Sequence, residues 1–138
     1  MNSSKVRTFM QLAGTRLPAD ITQASPELRA LAAQLLLSET LEYVIKGLGV
    51  TPVVNGEAVR EPDGLQYVVE SGSTVDPVEM IDGLADVAYT MYWNSEAFSL
   101  PLEEAYELVC DNNLEKFVPL EKDLTTQMEL DSSECPPI

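Results

Sequence analysis

The sequence predicts an all-α fold, a four-helix bundle with a small β-hairpin inserted between its second and third main helices. Three observations predict it. Apolar residues recur at three- and four-residue spacing in separate segments, helix-start signals precede the two longest, and an Asn-Gly turn among β-branched residues lies between those two. With 138 residues, 45% of them hydrophobic and 22% charged, the chain has the size and composition of one ordinary folded domain, residues 1–120, with 121–138 left over.

The first helix is short, Lys5 to Ala13, with Val6, Phe9 and Met10 on one side and Gly14 as its stop. Residues 15–24, carrying Pro18, form a linker. The second helix opens with Ser25 as N-cap, Pro26 in the first helical position and Glu27 at the positive end of the dipole, and runs to Gly47 and Gly49. From Val50 to Thr74 the pattern changes to a β excursion around Asn55-Gly56, a type I′ signal, followed by Pro62-Asp63-Gly64 and the alternating run Leu65 to Val69. Asp76, Pro77 and Glu79 start the third helix, which reaches about Phe98. Pro101 opens a fourth that continues to about Lys116. Residues 121–138 hold five acidic side chains against Lys122, the composition of a loosely held acidic tail.

Charge and residue types restrict the chemistry. The formal charge is −15 with only eight Lys and Arg, which opposes binding to long nucleic acid, because that binding depends on basic patches. No apolar run reaches the length of a membrane span and the polar start lacks a signal-peptide core, so no membrane partner and a cytoplasmic location are expected. There is no histidine, and Cys110 and Cys135 lack metal-ligand spacing, so metal chemistry here must use oxygen ligands. A small polyanion could bind if a metal supplied the positive charge.

Carboxylates interrupt two apolar stripes. On the second helix, Leu28, Leu31, Leu35, Glu39, Glu42 and Ile45 follow the spacing of a buried face, with two acids where leucines are expected. Burial of an ionised carboxylate without a partner is costly, so a pair one turn apart calls for a cation. The plain alternative is that the stripe drifts and both glutamates lie at its solvated edge. On the third helix, Asp82, Asp86, Tyr89 and Trp93 form a stripe beside the apolar arc of Ile81, Leu84, Ala85, Ala88 and Tyr92. Glu79 has an ordinary role in a capping box with Asp76, and the two aromatics read as core or dimer contacts. Acids paired at these spacings on two helices are a recurrent metal cage in bundles, and a set of hard oxygens favours Mg²⁺, with Mn²⁺ as an alternative.

Three segments, Leu35-Leu36-Leu37-Ser38-Glu39-Thr40-Leu41-Glu42-Tyr43, Asp82-Gly83-Leu84-Ala85-Asp86-Val87-Ala88-Tyr89 and Asn112-Asn113-Leu114-Glu115-Lys116, resemble the all-α nucleoside triphosphate pyrophosphohydrolases. That family includes MazG, the dimeric dUTPases and phosphoribosyl-ATP pyrophosphohydrolase, and the likeness is strongest to its MazG-like members over about residues 5 to 117. The resemblance implies a MazG-like bundle that binds Mg²⁺ through Glu-Glu-x-x-Glu on one helix and Glu-x-x-Asp on the next. Glu39 and Glu42 match the second and third glutamates and Asp86 the aspartate. Ser38 stands where the first glutamate is usual and Gly83 where the Glu of Glu-x-x-Asp would be, with Asp82 one residue earlier as its replacement. Asn113 and Lys116 match the residues that contact the nucleotide.

The expectation is therefore a Mg²⁺-dependent hydrolase that releases pyrophosphate and a nucleoside monophosphate from a nucleoside triphosphate or related phosphoribosyl nucleotide, a nucleotide-pool housecleaning activity. Glu39, Glu42, Asp82 and Asp86 hold the metal and Glu39 is the catalytic base, although nothing in the spacing separates ligand from base. A homodimer or dimer of dimers is implied by the resemblance. The rival reading is a non-catalytic nucleotide- or metal-binding protein whose turnover went with Ser38 and Gly83. A third, an acidic adaptor bundle, accounts for the charge but not for acids on apolar stripes.

Overall fold

The computed structural model describes residues 3–15, 17, 20, 21 and 24–117; the acidic tail expected at 121–138 lies outside them. Helices dominate, in the order α1 (Ser4–Leu12), α2 (Pro26–Glu42), α3 (Pro77–Ala97) and α4 (Leu102–Glu115). Two short antiparallel strands, β1 (Val53–Val54) and β2 (Glu57–Ala58), fall between α2 and α3, with Val53 opposite Ala58 and Val54 opposite Glu57. Among the described residues no helix is long and apolar enough to cross a membrane. The chain divides into two compact units, one holding α1, α3 and α4 and the other α2 and the hairpin.

Local signals explain most of these boundaries. In the second unit the Ser25 hydroxyl accepts the Leu28 N–H at 3.1 Å and Pro26 takes the first turn, where its missing N–H costs nothing. α2 ends as an α-helix at Glu42 and continues through one π-helical turn, Tyr43–Gly47, in which the Leu48 N–H reaches the Tyr43 carbonyl at 2.9 Å. The hairpin turn has Asn55 at φ 51° and Gly56 at φ 79°, the two positive values that a type I′ turn requires. Leu65 to Val69 forms no strand, yet its alternation survives as burial, with Leu65, Tyr67 and Val69 half-buried and Gln66 and Val68 exposed. Arg29 ties the start of α2 to the end of this excursion by donating to the Ser73 carbonyl and hydroxyl, both at 3.2 Å.

In the first unit α1 lies against α4. The Phe9 and Phe117 rings meet edge to face at 5.2 Å and 69°, and both are buried, as is Cys110. Beside them the Lys5 ammonium donates to Glu107 at 2.8 Å and Asp111 at 2.7 Å, and these two bonds push its pKa above the usual lysine range. Burial, and then a hydrogen bond with Cys110, pushes the Tyr106 hydroxyl up to about 12. α3 is capped by Asp76, whose carboxylate accepts the Val78 and Glu79 N–H groups at 3.1 and 3.2 Å. At the α3–α4 corner the Tyr92 hydroxyl donates to Glu103 and the Ser95 hydroxyl to the Leu100 carbonyl, each at 2.8 Å.

Two expectations about burial change. No residue of α3 is buried; Ile81 and Leu84, in its apolar arc, are 68% and 57% exposed. A stripe at helical spacing specifies that one face is apolar and does not specify what covers it. On α2 the buried position is Leu41, which lies off the stripe that contains Glu39 and Glu42, and both glutamates are exposed. The solvated edge is where an ionised carboxylate costs least.

The edge-to-face pair makes a direct prediction. Phe9→Ala should destabilise the unit by about 3 kcal/mol, the usual loss for a large aromatic truncated in a core. Denaturant unfolding of the purified variant measures it; a loss below about 1 kcal/mol, the scale of a surface change, would mean that α1 does not depend on this contact.

Candidate functional site

The paired acids on α2 are the most developed feature. Glu39 and Glu42 sit one turn apart on the last full turns of the α-helix, so their side chains leave the same face. Partial burial of the Glu39 carboxyl raises its pKa above the usual carboxylate range. The neighbouring charge of Glu42, a side-chain hydrogen bond between the two and the charge of Asp63 raise it further. Two carboxyls in that relation share a proton or attract a cation. Lys46, at the next turn, is the nearest answer, with its ammonium 3.8 Å from Glu42 Oε1.

Ser38, which replaces the first glutamate of the resembled pattern, turns its hydroxyl back onto its own helix and donates to the Leu35 carbonyl at 3.4 Å. Asp82 and Asp86 lie on α3, four residues apart and both exposed. Between them, a Cβ added at Gly83 would meet nothing within 4 Å, so packing does not demand glycine there. Asn113 and Lys116 end α4, where both are half-buried and Lys116 is the C-cap residue. The structure thus brings Glu39 and Glu42 together in one unit and carries Asp82 and Asp86 one turn apart in the other. Among the described residues no three His, Cys, Asp or Glu side chains gather as a metal-binding group.

Two residues near the glutamate pair were not singled out by sequence reasoning. Asp63 sits in the turn Pro62-Asp63-Gly64, and only the fold of the excursion brings its charge to bear on Glu39. Lys46 had a readable signal, since a Glu followed four residues later by a Lys is the favourable order on a helix.

As donors, the paired carboxylates fit a hydrated Mg²⁺ ion, which keeps several of its waters and commonly takes one or two carboxylates together with substrate phosphates. Such an ion would relieve their mutual repulsion. No family model matches the chain, and neither a curated protein nor a solved structure matches it.

The raised Glu39 pKa fixes the sign of a pH effect. A carboxyl whose folded pKa lies above its unfolded one favours the folded state at low pH, and that contribution is lost as pH rises through the folded value. Glu39→Gln should therefore stabilise the protein at neutral pH, by less than about 1 kcal/mol for so exposed a side chain, with the gain vanishing below the unfolded carboxylate range. Thermal melts of both proteins from about pH 3.5 to 7.5, across the carboxylate range, test this; a gain that persists at acid pH would point to helix propensity instead.

Proposed function

We propose that this protein is a Mg²⁺-dependent nucleotide pyrophosphohydrolase with a MazG-like four-helix bundle. The observation that carries the reading is the Glu39–Glu42 pair, two carboxyls one turn apart on one helix face, with the Glu39 carboxyl partly buried and its pKa raised. The resemblance of three helical segments to the all-α pyrophosphohydrolases supports the same conclusion, and the chemistry of the donor set agrees with it. Asp82 and Asp86 supply the second carboxylate pair of the proposed ligand set.

Bound Mg²⁺ would supply the positive charge that an acidic chain lacks at the phosphates. The residues do the rest. Glu39 accepts a proton from the attacking water, a task suited to a carboxyl whose pKa lies above the usual range. Water adds to phosphorus, the bond to the leaving pyrophosphate breaks, and a nucleoside monophosphate remains. Lys116 meets the phosphates as a point charge and Asn113 contacts the nucleotide. Substrates are nucleoside triphosphates or related phosphoribosyl nucleotides, and the role is housecleaning of the nucleotide pool in the cytoplasm. The exposed apolar residues of α3, among them Val78, Ile81 and Trp93, support association with further copies of the chain.

A second reading, non-catalytic binding of a nucleotide or metal, is favoured by Ser38, whose hydroxyl bonds to its own helix where the resembled pattern has a ligand. A screen of pyrophosphate release from nucleoside triphosphates, with and without Mg²⁺, separates the two. Release that depends on Mg²⁺ supports the enzyme. Nucleotide binding without release from any candidate supports the second reading and overturns the first.

The carboxylates and the cation make separate predictions. Glu42→Gln and Asp86→Asn each remove ligand charge while keeping shape, so both should abolish turnover in a protein that stays folded, and Mg²⁺ should raise their melting temperature much less than that of the wild type. Near-normal rates in both would refute the ligand set.

Lys116→Ala should lower kcat and kcat/KM together, as expected for a charge that acts in the transition state. Unchanged kinetics with a stability loss of about 0.3 to 1 kcal/mol would instead mark Lys116 as a partner of the helix dipole only.

A further inference from the structure

We infer that the outward face of α3 is the interface with a second copy of this chain, and that the second copy completes a core which one copy leaves open. The inference rests on the association proposed above, gives it a place and a geometry, and is independent of the metal reading.

One side of α3 is already in use. Val87, Ala88, Asn94 and Ser95 are its half-buried positions, and at about 100° per residue they fall on a single side of the helix. Val78, Ile81, Ala85, Tyr89, Tyr92 and Trp93 gather on the other side and are exposed, Val78 by 72%, Tyr89 by 70% and Trp93 by 60%. Together they offer roughly 700 Å² of mostly apolar surface, more than a monomer ordinarily leaves in one patch and close to the ~800 Å² that each partner brings to an interface of standard size.

The rest of the chain indicates a second copy as the occupant. Among the described residues the buried hydrophobic side chains are Phe9, Leu41, Cys110 and Phe117, and none belongs to α3. A chain that encloses so little by itself has the surface of an obligate oligomer, whose interface resembles a domain core cut in half. The face is also complementary to itself. Its N-terminal end is aliphatic, with Val78 and Ile81, its C-terminal end is aromatic, with Tyr89, Tyr92 and Trp93, and the small Ala85 lies between. An antiparallel two-fold pairing centred near Ala85 lays the aliphatic end of each copy against the aromatic end of the other, the isologous contact of a closed dimer. Asp82 and Asp86 run along one flank of this face, and α3 has no Lys or Arg to meet them. The two-fold axis carries the aspartates of both copies to the same side, so charge repulsion opposes the contact and salt strengthens it. A partner recruited by opposite charge behaves the other way.

Trp93 is the chain's single tryptophan, so its fluorescence reports on this face. The experiment dilutes the full chain from high micromolar to nanomolar concentration and follows its mass by sedimentation, the Trp93 emission, and quenching by acrylamide, a neutral probe that the acidic chain does not repel. Wild type should be a dimer at high concentration. As it dissociates, the emission should move to longer wavelength and acrylamide quenching should rise on the same dilution curve, and added salt should shift that curve to lower concentration. Val78→Lys and Ile81→Lys should each weaken association by at least about thirtyfold, the scale of an interface hot spot. Val68→Lys, at a similarly exposed position of the β excursion, should leave association unchanged. A dimer in which Trp93 is quenched as readily as in the dissociated chain, or one that both α3 variants leave intact, overturns this face and leaves association standing. Association that weakens as salt rises overturns the symmetric pairing, and the mass of a monomer at every concentration overturns both. Dilution of the unaltered chain needs no variant, so the test holds even if a substituted chain fails to fold.

Discussion

Scarcity of positive charge is the constraint on which the rest of this molecule depends. Twenty-three acidic side chains face eight Lys and Arg, so most carboxylates must rely on water, on backbone N–H groups or on one another. Asp76 takes the backbone solution as the cap of α3. Glu107 and Asp111 share Lys5, and one cation thereby satisfies two acids and holds two helices together. Glu42 meets Lys46 at 3.8 Å, a longer and more exposed pairing. Partial burial, and then the charge of Glu42, raises the Glu39 pKa, and a carboxyl in that state is a better proton acceptor.

The few cations differ in what they join. Arg29 and Lys5 make short, directed bonds that connect elements distant in sequence, Arg29 to Ser73 and Lys5 to α4. Lys46 meets Glu42, its neighbour on the preceding turn, at longer range and in water. A surface ion pair of that kind contributes little to stability.

Hydrophobic material is distributed as unevenly as charge. Phe9, Phe117 and Cys110 are buried where α1 meets α4, and Leu41 is buried on α2, while α3 keeps large apolar side chains in solvent along its length. α3 also carries Glu79, Asp82, Asp86 and Glu96 and no Lys or Arg, so any surface that covers its apolar residues must also accommodate acids. That combination is unlike a core helix, whose polar residues occupy one face only.

Much of this was legible in the sequence because it is decided within a few residues. Ser25 and Pro26, Asp76, Gly14 and Asn55-Gly56 act on their own stretch of backbone, and the helix starts, the first helix's stop and the hairpin turn appear where those residues stand. The spacing that sets Glu39 one turn from Glu42 was likewise a local reading. Burial was not. Spacing left open whether Glu39 and Glu42 belong to a buried stripe or to its solvated edge; Leu41 is the residue that the fold encloses, and the two acids face solvent. Spacing also marked Ile81 and Leu84 as core, and they are exposed. The influence of Asp63 on Glu39, the bonds from Lys5 to α4 and the contact between Phe9 and Phe117 join residues more than twenty positions apart. Sequence by itself determined which segments are helical, where they begin and which acids share a helix face, because hydrogen bonding and steric preference along the backbone act over one turn. Only the tertiary structure decided which faces are covered and which charges meet, because burial and Coulomb interactions depend on distances in space that no local pattern specifies.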